Sequence, residues 1–273
     1  MNNPLQKYFR QPKIYISLPS NGNYYPSGAR VGDSTSIPVY GMTGIDEIAI
    51  KTPDALFSGE ATAQLIHSCC PSIVHPKQMP VIDLETVLIA IRIATLGNNM
   101  EVSTTCKKCE TVNDYEIDLS NMLDHFSNLK FNNEVTADDV TVYLRPLSYG
   151  EVSEFGVKNF SIQKRTSQLS LLGEEEQRTQ FDEIYKEIAN LQFDLVLSSI
   201  ESVRIPGAVV VEREYIAEWL KNIDKSVYSL ITATIEKNKT AWEIPDSIVE
   251  CSNPECKEKD SVKISLDYSS FFV

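Results

Sequence analysis

Apolar residues recur along the chain with two kinds of spacing, helical in the longer stretches and alternating in the shorter ones. Residues 84–96 are apolar on nearly every face of a helix, which is typical of a helix buried at the centre of a domain. Residues 174–201 and 212–223 each carry a single apolar stripe, as amphipathic helices do. Alternating β-type runs predict strands at 14–18, 37–42 and 140–145, and strand–turn–strand units at 101–119 and 247–268. We therefore expect an α+β protein, with a mainly helical body and short strands.

Local signals predict where several helices begin and end. Asp83 is predicted to be the N-cap of the apolar helix, because a short acidic side chain accepts bonds from free backbone N–H groups. Gly97 is its predicted C-terminal stop, because glycine adopts the left-handed conformation that ends helices. Thr43 supplies a hydroxyl cap for another helix, and Ser148-Tyr-Gly-Glu151 has the sequence of a capping box.

The order of these elements predicts four segments. Residues 1–36 form a loose polar arm and a loop rich in glycine, proline, serine and asparagine, a composition typical of irregular surface structure. Residues 37–100 form a β/α core segment. Residues 101–119 combine with residues 247–273 in a cysteine-bearing ribbon, and residues 120–246 form a mainly helical segment.

Four of the six cysteines form two closely spaced pairs. Cys106 and Cys109 enclose two residues, Cys251 and Cys256 enclose four, and each pair lies in a turn between β-type flanks. Such spacing lets both sulfurs of a pair reach one ion, and a second pair completes a tetrahedral shell of four thiolates. The sequence therefore predicts a structural zinc ion in a ribbon that joins the chain middle to the C-terminus. A closed shell leaves no position for water, so we do not expect this zinc to be catalytic.

The paired cysteines have two alternative roles that stay open. Four reduced cysteines can pack as small apolar groups, and a Cys-x-x-Cys motif can be redox active. The redox role is less favoured, because a thioredoxin-like motif opens a helix in a βαβ unit, whereas Cys106 has β-type flanks on both sides. The remaining two cysteines, Cys69 and Cys70, are adjacent and cannot easily serve one tetrahedral site, which predicts buried free thiols.

The composition narrows the possible functions. The 273 residues carry a formal net charge of −13, and an acidic surface repels phosphate backbones, so nucleic acid is not expected as the main ligand. The most apolar stretch is too short to cross a bilayer and no segment resembles a signal peptide, so we expect a cytoplasmic product without a membrane partner. P-loop, GxGxxG, GxSxG and HExxH motifs are absent from the sequence, which favours a protein without enzymatic activity.

Several stretches of the chain resemble one family of phage proteins. They are Ile14–Pro26, Pro38–Glu47, Thr52–Phe57, Asp83–Leu96 followed by Thr104–Cys109, and Val142–Glu151. Together with the C-terminal cysteine pair, they resemble the T4-type baseplate hub subunits and hub assembly proteins of contractile-tailed phages. The resemblance implies a virion protein of the tail baseplate, made in the host cytoplasm, that joins the hub and tube to the surrounding wedges. The implied partners are other tail proteins: hub, tube, wedge and tape measure.

Aromatic residues of the arm, the loop and the C-terminus are candidates for contacts with such partners, because aromatic side chains often anchor interfaces. The candidates are Tyr8, Phe9, Tyr24, Tyr25, Phe271 and Phe272, each of which has the alternative role of covering the chain's own core. Two further functions stay open: a chaperone of baseplate or tail assembly, and a zinc-ribbon protein that binds nucleic acid. The first requires absence from mature particles. The second requires a basic face around four lysines near the cysteines: Lys107, Lys108, Lys257 and Lys259.

Overall fold

The computed structural model describes residues 3–29, 31–51, 58–169, 174–264 and 271–272, without the side chains of 174–176 and 179. Over these residues the chain is an α+β protein with short strands, as the apolar pattern predicts. The helices are α1 (Gly44–Ile50), α2 (Glu60–Cys69), α3 (Val81–Leu96), α4 (Ser120–Asn128), α5 (Tyr149–Gln168), α6 (Glu174–Ser199), α7 (Arg213–Asn222) and α8 (Lys225–Ala241). Short 3-10 helices span Pro4–Tyr8 and Pro76–Gln78. The stretch 52–57, part of the family resemblance, lies outside the described residues.

The strands pair only with antiparallel neighbours within the described ranges. They are β1 (Ile14–Ile16), β2 (Ile37–Val39), β3 (Asn99–Thr105), β4 (Val112–Asp118), β5 (Glu134–Ala137), β6 (Val140–Leu144), β7 (Ile200–Ile205), β8 (Ala208–Val210), β9 (Ser247–Glu250) and β10 (Lys259–Val262). Strands β5-β6-β7-β8 form one four-stranded sheet in that order, and the pairs β1–β2, β3–β4 and β9–β10 form two-stranded sheets. We call β3–β4 with its turn hairpin 1, and β9–β10 with its turn hairpin 2.

The chain divides into two compact units. Unit 1 contains the described residues within 1–56, 60–129 and 242–273, and unit 2 those within 57–59 and 130–241. The arm, the β/α core segment and both hairpins therefore belong to unit 1. The predicted boundary at residue 120 differs from this division, because α4 packs in unit 1: Phe126 is buried there and stacks on Trp242 with ring centroids 6.2 Å apart.

Helix α3 is buried in unit 1 over most of its length, as its apolar sequence predicts. Gly97 ends it with a φ of 94°, also as predicted. The prediction that Asp83 caps the helix is wrong, because the N-cap is Pro80. The Asp83 carboxylate instead accepts hydrogen bonds from the Ser20 N–H (2.8 Å), the Ser20 hydroxyl (2.6 Å) and the Tyr25 hydroxyl (2.9 Å). These bonds fasten the polar N-terminal loop to the core of its own unit.

The other predicted helix starts are confirmed. Thr43 Oγ1 accepts from the Asp46 N–H at the start of α1, and Ser148 Oγ accepts from the Glu151 N–H at the start of α5. Each acid reciprocates, since its carboxylate accepts from the backbone N–H of the cap residue at 2.7 Å and 2.8 Å, respectively. Both starts are therefore complete capping boxes.

Unit 2 is built on the four-stranded sheet. Its apolar core combines strand residues with residues of α6, α7 and α8: Val135, Val142, Leu144, Val196, Ile200, Val203, Ile216, Leu220 and Ile231. The sequence pattern does not predict β5, β7 or β8. For β7 the reason is that the helical stripe of 174–201 runs into the strand without a change of spacing. Gly207, with a φ of 86°, makes the turn between β7 and β8, a conformation that glycine adopts at little cost.

No helix of the described ranges is both long enough and apolar enough to span a membrane.

Candidate metal centre

Each hairpin presents a pair of cysteines in its turn. The first cysteine of each pair closes the turn with its backbone N–H, Cys106 over 2.9 Å and Cys251 over 2.8 Å. The residue after the second cysteine has a positive φ in both hairpins, 58° at Glu110 and 47° at Lys257. A left-handed backbone conformation costs a non-glycine residue about 1–2 kcal/mol. Its occurrence in both turns therefore gives the two hairpins a similar bend beside their second cysteine.

The two hairpins bring the four predicted metal ligands into one cluster. All four Sγ atoms lie within 4.8 Å of one another. Between the hairpins, Cys106 Sγ lies 3.9 Å from Cys256 Sγ, and Cys109 Sγ lies 3.6 Å from Cys251 Sγ. A disulfide bond needs about 2.0 Å, whereas sulfurs held at about 2.3 Å by one tetrahedral zinc ion lie about 3.8 Å apart. The donor set and its spacing therefore fit one tetrahedral metal ion.

Three polar links also join the hairpins: Lys107 Nζ to Asp260 (3.1 Å), Lys108 Nζ to Glu258 (2.7 Å), and Tyr115 Oη to the Glu250 carbonyl (3.1 Å). Both lysines are largely exposed, and exposed ion pairs contribute less than about 1 kcal/mol each. The pairing with acids of the same ribbon removes two of the four lysines from any basic face. This weakens the nucleic-acid alternative that depends on such a face.

A fourth link joins a buried residue of hairpin 1, Asn113, to an exposed residue of hairpin 2, Ser252. Asn113 Oδ1 accepts hydrogen bonds from the Ser252 N–H (2.8 Å) and the Ser252 hydroxyl (2.6 Å), and Asn113 Nδ2 donates to the Thr111 carbonyl (3.0 Å). The sequence pattern does not identify Asn113 or Tyr115, because their partners lie 139 and 135 residues away. The only sequence signal is that both lie within a few residues of the first cysteine pair.

The thiols of the cluster differ in acidity. A hydrogen bond with the Thr111 hydroxyl lowers the pKa of Cys109 to about 6. A backbone hydrogen bond at Glu258 lowers the pKa of Cys256, but burial and the neighbouring thiols outweigh it and raise that pKa to about 11. Four thiols at this spacing oppose one another's deprotonation, because each thiolate disfavours the next. A divalent cation would offset that repulsion.

The remaining two cysteines are fully buried in unit 1, as predicted. Burial raises the pKa of both thiols, to about 12 at Cys69 and further at Cys70. Both are therefore neutral at pH 7 and lie outside the clustered set.

The aromatic residues predicted to contact partners differ in exposure. Two are exposed (Tyr8 and Phe9), one is half-buried (Tyr24), and three are buried (Tyr25, Phe271 and Phe272). The Tyr25 hydroxyl is held by Asp83, and the two terminal phenylalanine rings pack edge to face. The structure thus places these last three side chains in the core of unit 1, which is the alternative role considered for them, and not on its surface.

Arg10 fastens the N-terminal arm, a role that the sequence pattern does not identify. Its guanidinium donates to the Gly41 carbonyl (2.5 Å) and the Ser68 carbonyl (2.7 Å) and pairs with Asp46 (3.4 Å). The preceding described residues, 3–9, are exposed. The predicted loose arm is therefore anchored at one end.

Comparison with known proteins identifies a family. No curated protein and no solved structure matches the chain. A family model described as T4 bacteriophage base plate protein matches residues 45–273. That range covers more than half of the chain and contains all four clustered cysteines, while the arm lies outside it. The chain therefore belongs to the T4 bacteriophage base plate protein family.

Proposed function

We propose that this chain is a non-enzymatic structural subunit of the central baseplate of a contractile phage tail, where it links the hub or tube to the wedges. The observation that carries the proposal is the family match over residues 45–273, since membership supports a structural role in a baseplate. The central position rests on the resemblance of the N-terminal half to hub proteins. The partners in this proposal are hub, tube, wedge and tape-measure proteins.

The proposal includes one structural zinc ion bound by Cys106, Cys109, Cys251 and Cys256. Sulfur separations of 3.6 Å and 3.9 Å across the hairpins support it, and a set of four thiolates favours zinc among the common divalent ions. When bound, the ion would supply a cross-link between the chain middle and the C-terminus. Four sulfur ligands fill its tetrahedral shell, so it would not activate water.

Exposed apolar residues of unit 1 suit a partner contact. Leu5, Tyr8 and Phe9 are exposed on the arm, and Ile45 and Ile48 are exposed on α1. The ion pair between Arg10 and Asp46 ties the arm to α1. Exposed apolar residues can mark interaction sites, so we assign these five residues, which we call the arm surface, to a baseplate partner.

Quantitative mass spectrometry of purified mature tails tests the baseplate role directly. A permanent subunit is present at a small integer number of copies per tail. Near-zero copies in tails, with abundant protein in the infected-cell lysate, would contradict the proposal and favour an assembly chaperone.

A paired substitution tests the arm surface. Tyr8→Ser with Phe9→Ser should leave a folded, zinc-loaded chain that enters tails poorly, because it removes apolar contact area without touching the core. Val74→Ser is the matched control, since Val74 and Phe9 are both 56% exposed and Val74 lies outside the arm surface. Normal incorporation of the double variant would exclude the arm surface as a contact.

A further inference from the structure

Asn113 is a buried polar residue on a strand whose neighbouring residues face solvent. Its side chain is 2% exposed, whereas Val112 and Asp114 are exposed. A polar atom that is buried without a partner destabilises the fold, so a buried amide requires partners for both its oxygen and its nitrogen. Asn113 finds them on two different hairpins, Thr111 in hairpin 1 and Ser252 in hairpin 2.

We infer that Asn113 is a positioning residue for the metal site, which fixes hairpin 2 against hairpin 1 and sets the location of Cys251. The inference rests on the zinc site of the proposed function and adds to it a residue that is not a ligand. Asn113 acts through Ser252, the residue directly after Cys251.

The hydrogen bonds of Asn113 connect the two cysteine pairs. Two bonds from Ser252, one from its N–H and one from its hydroxyl, fix the backbone next to Cys251. The Thr111 carbonyl that accepts from Asn113 also accepts from the Cys106 N–H over 2.9 Å. The Asn113 amide therefore links two points. One is the backbone hydrogen bond that closes the turn of hairpin 1, and the other is Ser252, which follows the first cysteine of hairpin 2.

The amide also lies close to a ligand itself, because Cys251 Sγ is 3.7 Å from Asn113 Oδ1. The two lysine–acid pairs that join the hairpins lie at the surface, where solvent and salt screen their attraction. Among the described inter-hairpin links, the one from Asn113 starts at a buried residue and ends at Ser252, directly after a ligand. It is therefore the link best placed to hold the sulfurs together before the ion binds.

Loss of this amide should weaken metal binding without changing its stoichiometry. Without Asn113, Cys251 must be ordered at the moment of binding, and the Ser252 N–H loses its acceptor. Substitution of residues that orient metal ligands typically lowers metal affinity about 10–100-fold. We expect Asn113→Ala to show a loss in that range with one zinc still bound per chain, and Ser252→Ala, which keeps the backbone donor, to show a smaller loss.

Asn238 offers a matched control in unit 2. It is also a buried asparagine, 8% exposed, and it also bridges distant chain segments: its Oδ1 accepts from the Asn132 N–H (3.0 Å) and its Nδ2 donates to the Asn132 carbonyl (2.8 Å). Asn238→Ala should lower stability by a similar mechanism but leave zinc affinity within about twofold of the wild type, because its side-chain hydrogen bonds are made to Asn132 within unit 2.

The experiment measures zinc affinity of the full-length chain by competition with a coloured chelator, for wild type, Asn113→Ala, Ser252→Ala and Asn238→Ala. The expected order of affinity is wild type and Asn238→Ala, then Ser252→Ala, then Asn113→Ala. Equal affinity of wild type and Asn113→Ala would overturn the inference alone, as would equal losses in Asn113→Ala and Asn238→Ala. If Asn113→Ala does not fold, an unchanged affinity of Ser252→Ala overturns it. A wild-type chain that binds no zinc overturns the zinc proposal itself.

Discussion

The cysteine hairpins of unit 1 and the sheet of unit 2 are both antiparallel, yet they bury different groups. In the sheet, Val142, Leu144, Ile200 and Val203 of β6 and β7 are buried in an apolar core. In hairpin 1, no residue of β3 is buried, and in β4 burial is confined to Asn113 and to Ile117. Burial of an aliphatic side chain contributes about 1.5–3 kcal/mol, so the sheet has a source of stability that the hairpins largely lack.

The difference agrees with the proposed structural metal ion in the ribbon. Small units with little apolar core usually depend on disulfides or metal ions, and these hairpins carry four clustered thiols in place of a core. Removal of the metal should therefore affect the hairpins, and truncation of apolar side chains should affect the sheet. Each treatment should thus act on one of the two regions and spare the other.

Removal of zinc should have the largest effect. Chelation, or the substitution Cys251→Ser, should lower the local free energy of opening of the hairpins by several kcal/mol. The free energy of zinc binding in zinc-finger peptides, about 10–16 kcal/mol, sets the scale. Hydrogen–deuterium exchange should speed up at residues 99–118 and 247–262. The amides of β6 and β7 serve as the internal control. Equal acceleration there, or unchanged exchange in the hairpins, would contradict the comparison.

Truncation of the sheet core should give the converse result. Leu144→Ala removes a fully buried side chain of unit 2 and should lower the free energy of unfolding by about 2–5 kcal/mol, as measured by urea denaturation. Zinc content should stay the same, because Leu144 lies in the other unit. Val209→Ala, at an exposed position of β8, is the control and should change stability by less than about 0.5 kcal/mol.

A smaller and pH-dependent effect is expected at Glu85 of α3. Burial raises the pKa of Glu85 from 4.5 to about 7, and its Oε2 has no hydrogen-bond partner among the described residues. The folded state therefore holds the carboxyl proton of Glu85 more tightly than the unfolded chain does. The resulting contribution to the free energy of unfolding is present below pH 4.5 and is lost as pH rises through 7. Glu85→Gln should therefore stabilise the protein at pH 8 by about 1–3 kcal/mol.

The measurement for Glu85 is the difference in unfolding free energy between Glu85→Gln and wild type across pH 5 to 8. The difference should grow with pH. Because both proteins carry the same cysteines, the acid sensitivity of the thiolates cancels when one unfolding free energy is subtracted from the other. A difference that is constant or shrinks with pH would show that the folded chain does not hold Glu85 in its neutral form.

The surface ion pairs of the ribbon should matter least. Lys108→Ala breaks the pair with Glu258 and should cost less than about 1 kcal/mol, with a smaller cost at high salt. Thermal unfolding at low and high ionic strength measures it. A loss as large as that of zinc removal would assign the stability of the hairpins to charge pairing and not to the metal.

Local signals in the sequence predict much of this fold. The apolar pattern identifies α3 and Gly97 identifies its end, because both depend on residues next to each other in the chain. The prediction that Asp83 caps α3 fails, because its carboxylate accepts three hydrogen bonds from a loop about 60 residues away in the sequence. Strand β7 is not predicted, because the buried residues at 196, 200 and 203 are spaced by four and three residues, as on a helix face, and not by the two residues that separate side chains on one face of a strand.

The metal site is predicted to the extent that its residues follow a spacing rule. Two close cysteine pairs between β-type flanks identify the four clustered residues from sequence alone, and the fold brings their sulfurs together. Asn113 and Arg10 follow no such rule, because each bonds to segments that are distant in the sequence. Such contacts depend on the fold as a whole and leave no pattern in the neighbouring sequence.

Native mass spectrometry of the purified full-length chain would show whether the four clustered cysteines hold a metal ion. We expect one zinc ion per chain, lost on acidification or on substitution of Cys251 and retained after Leu144→Ala. A folded wild-type chain whose mass corresponds to protein alone, with no metal and no change on addition of a chelator, would exclude a structural zinc ion.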